Sequence, residues 1–174
     1  MSAASTVAVL GVGSWGTALG LLLARNGHAV HLWGHDPNEV ALLDQDRQNR
    51  RYLPDIPFPP ALSAGSSLDR AVDGAKLVLA AVPSHAYGAT LLKLRPLLPT
   101  RVGLAWATKG LEHESGRFLH QVTEEILGAE RSAAVISGPS FAREVALGLP
   151  TAVTVAAREM ACARRVAALL HGSN

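Results

Sequence analysis

The sequence predicts an α/β protein built on a doubly wound, mostly parallel sheet. Three observations carry that reading. Short β-branched runs alternate with longer helical patterns, a glycine-rich turn joins the first run to the first helix, and small, polar or cationic residues follow one strand end after another.

The elements are justified in chain order. The first apolar run, 7–10, leads through Gly11-Val-Gly-Ser-Trp-Gly16 into a helix over 14–26. That helix carries Leu19, Leu22 and Leu23 at helical spacing and stops at Asn26-Gly27, where glycine can take the left-handed conformation that closes a helix. A strand at 29–33 and a helix at 38–45 follow. The stretch 53–60 holds four prolines, which remove backbone donors, so it is a loop or a sheet edge and no central element. Beyond it, strands at 77–82, 102–106, 133–136 and 152–155 alternate with helices at 87–94, 115–127, 141–147 and 158–170. Nothing repeats at the fixed period of a solenoid.

The glycine turn fits G-x-G-x-x-G in the context that gives the pattern meaning, after a strand and opening a helix. Gly11 makes the tight turn, Gly13 lets backbone approach a pyrophosphate, and Gly16 allows close packing of helix on strand. Ser14 and Trp15 then stand at a helix N-terminus, whose free N–H groups suit an anion. This is the Rossmann-type arrangement, and residues 1–174 read as one dinucleotide-binding domain. The ribose end is less orderly. Asp36 lies about 20 residues beyond Gly16, where the pattern places an acid. It follows the strand end by two or three residues, however, and His35 sits closer, with Arg47, Arg50 and Arg51 in reach of a 2′-phosphate. NAD and NADP both stay open.

In an open parallel sheet, ligands bind beyond the carboxyl ends of the strands. Those ends carry the glycine turn, His35, Val82-Pro-Ser-His85, Thr108-Lys-Gly110 and Ser137-Gly-Pro-Ser140. Lys109 is one of three lysines beside thirteen arginines, and its place at the cleft suits an anion or a carbonyl. Gly138-Pro139-Ser140 reads as a helix start with proline in the first turn, so nearby N–H groups and the Ser140 hydroxyl can hold a phosphate. Other chemistry falls away. His28, His31 and His35 straddle a strand without converging on a metal, and neither a P-loop nor a G-x-S-x-G elbow occurs. Cys162 packs among alanines on the last helix, and Glu112-His-Glu114 reads as an exposed helix start.

Composition bounds the partners. Apolar residues make up 48% and charged residues 17%, a globular balance. A net charge of +2 with a pI near 9.0 reflects scattered arginine, and no basic stripe points to nucleic acid. The N-terminus lacks a basic signal region, no apolar run approaches the ~20 residues of a membrane span, and one cysteine builds no disulfide framework. The expectation is a cytoplasmic protein without membrane insertion.

Gly11-Val-Gly-Ser-Trp-Gly-Thr-Ala18, Leu32-Trp-Gly-His-Asp36, Tyr52-Leu-Pro54, Val82-Pro-Ser-His85, Trp106-Ala-Thr-Lys-Gly-Leu111 and Ser137-Gly-Pro-Ser-Phe-Ala142 occur in this order. In these blocks the chain resembles bacterial NAD(P)-dependent glycerol-3-phosphate dehydrogenase along essentially its whole length. The resemblance implies reversible hydride transfer between NAD(P)H and dihydroxyacetone phosphate, giving sn-glycerol 3-phosphate, a phospholipid precursor. It implies Ser14, Trp15, His35, Tyr52 and Ala142 on the cofactor, Lys109 on cofactor and substrate, and Gly138 and Ser140 on the substrate. It also implies a second, helical domain that carries the catalytic lysine and allows a homodimer. The chain stops at Asn174, where that domain is expected to begin, so the 174 residues alone are expected to bind cofactor without turnover. The alternatives are a stand-alone dinucleotide-binding module and the cofactor half of a 3-hydroxyacyl-CoA or 6-phosphogluconate type dehydrogenase. The Gly-Pro-Ser-Phe-Ala and Thr-Lys-Gly blocks count against the latter.

Overall fold

The computed structural model describes residues 4–172. Seven strands form one sheet: β1 (Thr6–Leu10), β2 (Ala29–Trp33), β3 (Leu62–Gly65), β4 (Leu77–Ala80), β5 (Gly103–Trp106), β6 (Ala133–Ser137) and β7 (Thr154–Ala157). Their order is β3-β2-β1-β4-β5-β6-β7. All neighbours run parallel except β6 and β7, which are antiparallel. The helices are α1 (Ser14–Arg25), α2 (Pro37–Asp46), α3 (Leu68–Val72), α4 (Ser84–Leu94), α5 (Leu119–Leu127), α6 (Ala142–Leu147) and α7 (Met160–Leu170).

The central strands are buried on both faces, so they read as continuous apolar runs whose alternate residues enter two different cores. Val7 and Val9 of β1, with Leu77 and Leu79 of β4, join the core covered by α1, α2, α6 and α7. Ala8, Leu10, Val78 and Ala80 join the opposite core, with Tyr87 and Leu91 of α4 and Leu119 and Val122 of α5. A layer of helices therefore lies on each side of the sheet. Strand order reverses between β1 and β4, which opens a crevice at their carboxyl ends.

The last two helices are held from below by the end of α1. The Arg25 guanidinium donates to the carbonyls of Val145 and Ala146 at the end of α6, and Asn26 Nδ2 lies 3.0 Å from both Leu169 O and Leu170 O at the end of α7. Orphan carbonyls at a helix terminus need such donors. Desolvation lowers the Arg25 pKa from its ordinary value. Gly27, at φ 88°, closes α1 as expected.

Several local expectations need correction. The short β3 and α3 lie between 60 and 77, where the sequence predicts no element. The helix expected from 115 begins at Leu119, because Glu112 accepts from Ser115 N at 2.8 Å and folds 112–116 into a turn. Glu112-His-Glu114 thus starts no helix. Pro139 opens no helix either: α6 begins at Ala142, is a turn and a half long, and has Phe141 as its N-cap. The final strand lies at 154–157 and not 152–155. Cys162 is buried on α7 as expected. No helix among the described residues is long and apolar enough to cross a membrane.

Candidate functional site

The site begins with the turn from β1 into α1. Gly11 N donates to Trp33 O at 2.8 Å and Ala81 N donates to Leu10 O at 2.7 Å, so the turn is clamped between the ends of β2 and β4. Gly11 has φ 118°, and a Cβ there would lie 2.7 Å from Ala81 O. A Cβ at Gly16 would be driven into the Gly11 carbonyl oxygen. Gly13 is different, because a Cβ there meets no protein atom within 4 Å. Two of the three glycines are demanded by the protein's own packing. The middle one faces open space.

That space is the head of α1. The first bond inside the helix runs from Thr17 N to Gly13 O at 3.0 Å, which leaves the N–H groups of Ser14, Trp15 and Gly16 before it. No side chain caps this terminus and no acid lies in the first turn, so its partial positive charge is uncompensated by the helix. The residues present fit a dinucleotide pyrophosphate at this point.

One cleft of about 610 Å³ is lined by Gly11, Gly13, Ser14, Trp15, His35, Tyr52 and Lys109, drawn from four separate stretches of sequence. A second cavity of about 450 Å³ is lined by Gly138, Ser137, Phe118 and His120 and shares Trp15, Thr108 and Lys109 with the first. Lys109 Nζ lies 5.5 Å from the centroid of the Trp15 ring, within cation–π range, at the junction of the two spaces. Parallel strands with their carboxyl ends on one edge produce this convergence.

The remaining predicted residues sit differently. Gly16 is buried beneath the turn. Ser140 Oγ donates to Ala152 O at 2.8 Å, and a Cβ at Gly138 would lie 2.9 Å from the same oxygen. The 138–140 loop is therefore pinned to the segment entering β7, and only Gly138 of it lines the second cavity. Ala142 begins α6 and packs against the α1-side core. Asp36 Oδ1 accepts from Asn38 N at 2.9 Å and caps α2. Its carboxylate is engaged locally, in line with its offset from the strand end. No group of three or more His, Cys, Asp or Glu among the described residues is placed to hold a metal ion.

Two buried polar residues support the site in roles that the sequence does not disclose. Thr108 Oγ1 donates to Val82 O at 2.8 Å, tying the Lys109 loop to the loop after β4. Asn49, only 1% exposed, donates from Nδ2 to Val12 O at 2.8 Å and to Thr17 Oγ1 at 2.9 Å, and its Oδ1 accepts from Tyr52 N. It anchors the glycine turn to the loop that carries Tyr52. Asn49 has no sequence signal, and Thr108 is legible only as part of the Thr108-Lys-Gly110 strand end; the burial and partners of both are revealed by the fold. Asn49→Asp keeps the shape but replaces both donors with an acceptor facing the Val12 carbonyl. It is expected to lower unfolding free energy by about 2 kcal/mol or more, measured by urea denaturation.

Comparison with known proteins gives a consistent set of relatives. The family model described as NAD-dependent glycerol-3-phosphate dehydrogenase N-terminus matches residues 6–163. The chain is 53% identical over 169 residues to glycerol-3-phosphate dehydrogenase [NAD(P)+] of Stenotrophomonas maltophilia strain K279a, covering 97% of this chain and 50% of the relative. It is 54% identical over 166 residues to the protein of the same name from Xylella fastidiosa strain M23, covering 95% and 48%. The crystal structure of glycerol-3-phosphate dehydrogenase from Coxiella burnetii superposes with a TM-score of 0.93 at 41% identity, covering 98% of this chain and 52% of that one. The chain spans about half the length of the curated relatives it matches.

Proposed function

This chain belongs to the NAD-dependent glycerol-3-phosphate dehydrogenase family, and from that premise we propose that it is the dinucleotide-binding domain, 1–174, of such an enzyme. The reaction it serves is reversible hydride transfer between NAD(P)H and dihydroxyacetone phosphate, giving sn-glycerol 3-phosphate. The observation that carries the reading is the uncapped head of α1, opening through Gly13 onto the crevice between β1 and β4.

In this proposal the N–H groups of Ser14 and Trp15 hold the pyrophosphate, with Gly11 and Gly16 shaping the turn beneath it. His35 and Tyr52 flank the adenosine end, and Ala142 completes the cofactor contacts. Bound NAD(P)H supplies the hydride. Lys109, at the junction of cleft and cavity, offers Nζ–H donors where a substrate oxygen gains negative charge. Gly138 and Ser140 form one wall of the substrate pocket, with the Ser140 hydroxyl turning from Ala152 O to a phosphate oxygen.

Titration with NADH tests the reading. Trp15 and Trp33 line the cleft, so saturable binding is expected to quench tryptophan emission and sensitise the nicotinamide, with ADP-ribose competing. Absence of saturable binding by the folded chain would overturn it.

A further inference from the structure

The adenosine end of the cleft is surrounded by charged side chains that differ in what they are free to do. Asp36 is committed to capping α2. Arg47, in the left-handed region at φ 52°, donates from Nη2 to Pro59 O at 2.9 Å and Leu62 O at 2.6 Å, so its guanidinium is spent on the loop backbone. Arg50 Nε lies 2.7 Å from Asp46 Oδ2. Both guanidinium groups are thus engaged away from the cleft.

Glu39 and Arg51 remain. Glu39 stands in the first turn of α2 and lines the cleft with His35 and Tyr52. Its side chain is 25% exposed, against 73% for Arg51. Arg51 Nη1 lies 3.6 Å from Glu39 Oε1, and the Arg51 guanidinium lies 5.0 Å from the centroid of the Tyr52 ring. That separation is longer than a charge-assisted hydrogen bond of ~2.7–2.9 Å, and solvent around Arg51 screens the attraction. The pair is easily parted.

We propose that Glu39 and Arg51 are the specificity-determining pair for the adenosine ribose, which rests on the cofactor reading above. With NADH, Glu39 accepts a hydrogen bond from a ribose hydroxyl, the role an acid plays at this end of a dinucleotide site. With NADPH, Arg51 leaves Glu39, stays over the Tyr52 ring and presents its planar fork to the 2′-phosphate. The Glu39 carboxylate then opposes that phosphate, so the two cofactors bind with similar affinity and neither is excluded. Discrimination is a difference of affinities, and this pair contributes to it with opposite signs.

Glu39 lines the cleft and Arg51 stands outside it, 73% exposed and reaching it through Glu39 and the Tyr52 ring; neither belongs to the glycine turn or the Lys109 loop, so their variants are expected to fold. Affinities for NADH and NADPH are compared in the wild-type chain, Arg51→Ala, Glu39→Gln and Arg50→Ala. Competition by 5′-AMP and adenosine 2′,5′-bisphosphate isolates the ribose end. Arg51→Ala is expected to weaken NADPH and the bisphosphate about tenfold, the worth of one charge-assisted hydrogen bond, with NADH within about twofold. Glu39→Gln is expected to weaken NADH and tighten NADPH, and Arg50→Ala to move neither. Equal losses for both cofactors, or an unchanged ratio in both variants, would overturn the pair's role while the cofactor site stands. If the wild-type chain binds neither cofactor, the cofactor reading fails and takes this pair with it.

Discussion

Gly13→Val is expected to keep its fold and lose NAD(P)H binding, whereas Gly16→Ala is expected to destabilise the fold by about 3 kcal/mol or more. The two glycines belong to one motif, yet the structure gives them separate work. A Cβ at Gly13 meets no protein atom within 4 Å beyond its chain neighbours, and the residue is the N-cap of α1 at φ −68°, a backbone conformation open to any residue. The cost to stability is therefore only that of a poorer N-cap, about 1 kcal/mol. In the proposed complex, the same open space is the pyrophosphate's. An isopropyl group there separates the phosphate oxygens from the helix N–H groups, and losing even two charge-assisted bonds weakens binding about a hundredfold. At Gly16 the added carbon meets the carbonyl of Gly11, which is itself clamped to β2 and cannot retreat. Overpacking against fixed backbone costs about 3 kcal/mol, occasionally more. Fluorescence titration and thermal unfolding of the two variants separate the effects. Unchanged affinity in a folded Gly13→Val protein would remove the dinucleotide from this turn.

The same contrast shows what is legible in a sequence. The order of β1, α1, β2, β4 and β5 follows from local period and glycine context, because parallel strands buried on both faces announce themselves as apolar runs. β3 does not. Leu62-Ser-Ala-Gly65 has turn-like composition and becomes a strand only because its backbone pairs with β2 in parallel register from Val30↔Leu62 to Trp33↔Gly65. The antiparallel direction of β7 is equally silent. It is set by how the chain returns after α6, with Ala134 opposite Ala157, and by no residue of the strand itself. The resemblance to a family supplied Tyr52 and Ala142, which no motif reached. Seven of the named residues line the cleft together and Gly138 lines the cavity beside it, while Ser140 hydrogen-bonds to a neighbouring carbonyl. Asn49, which positions both the glycine turn and Tyr52, depends on contacts between residues 12, 17, 49 and 52 that only folding creates.

A polypeptide of these 174 residues is expected to bind NAD(P)H yet to show no measurable oxidation of it with dihydroxyacetone phosphate. Carbonyl reduction needs the carbonyl held against the nicotinamide and a proton delivered as the alkoxide forms. The structure offers Lys109 and the 137–138 loop on one side of the second cavity, with Phe118 61% exposed on its wall. Among the described residues, that cavity is lined by no lysine or arginine besides Lys109 to grip the substrate's phosphate. In the proposed enzyme those groups, together with the proton-donating lysine, come from the remaining half of the length seen in relatives. Positioning and acid catalysis each contribute ~10²-fold or more, so losing both together removes at least about four orders of magnitude. Loss of NAD(P)H absorbance with substrate present is the measurement. In a protein extended over the full length of its relatives, turnover is expected to appear, and Lys109→Ala is expected to reduce it about a hundredfold, the typical cost of one preorganised donor. A fall in kcat that exceeds the change in NAD(P)H affinity would place Lys109 at the developing charge and not merely at the cofactor. Robust turnover by the 174-residue polypeptide would show instead that the proton donor lies within these residues, among groups such as Lys109, His85 or His120 that border the two spaces.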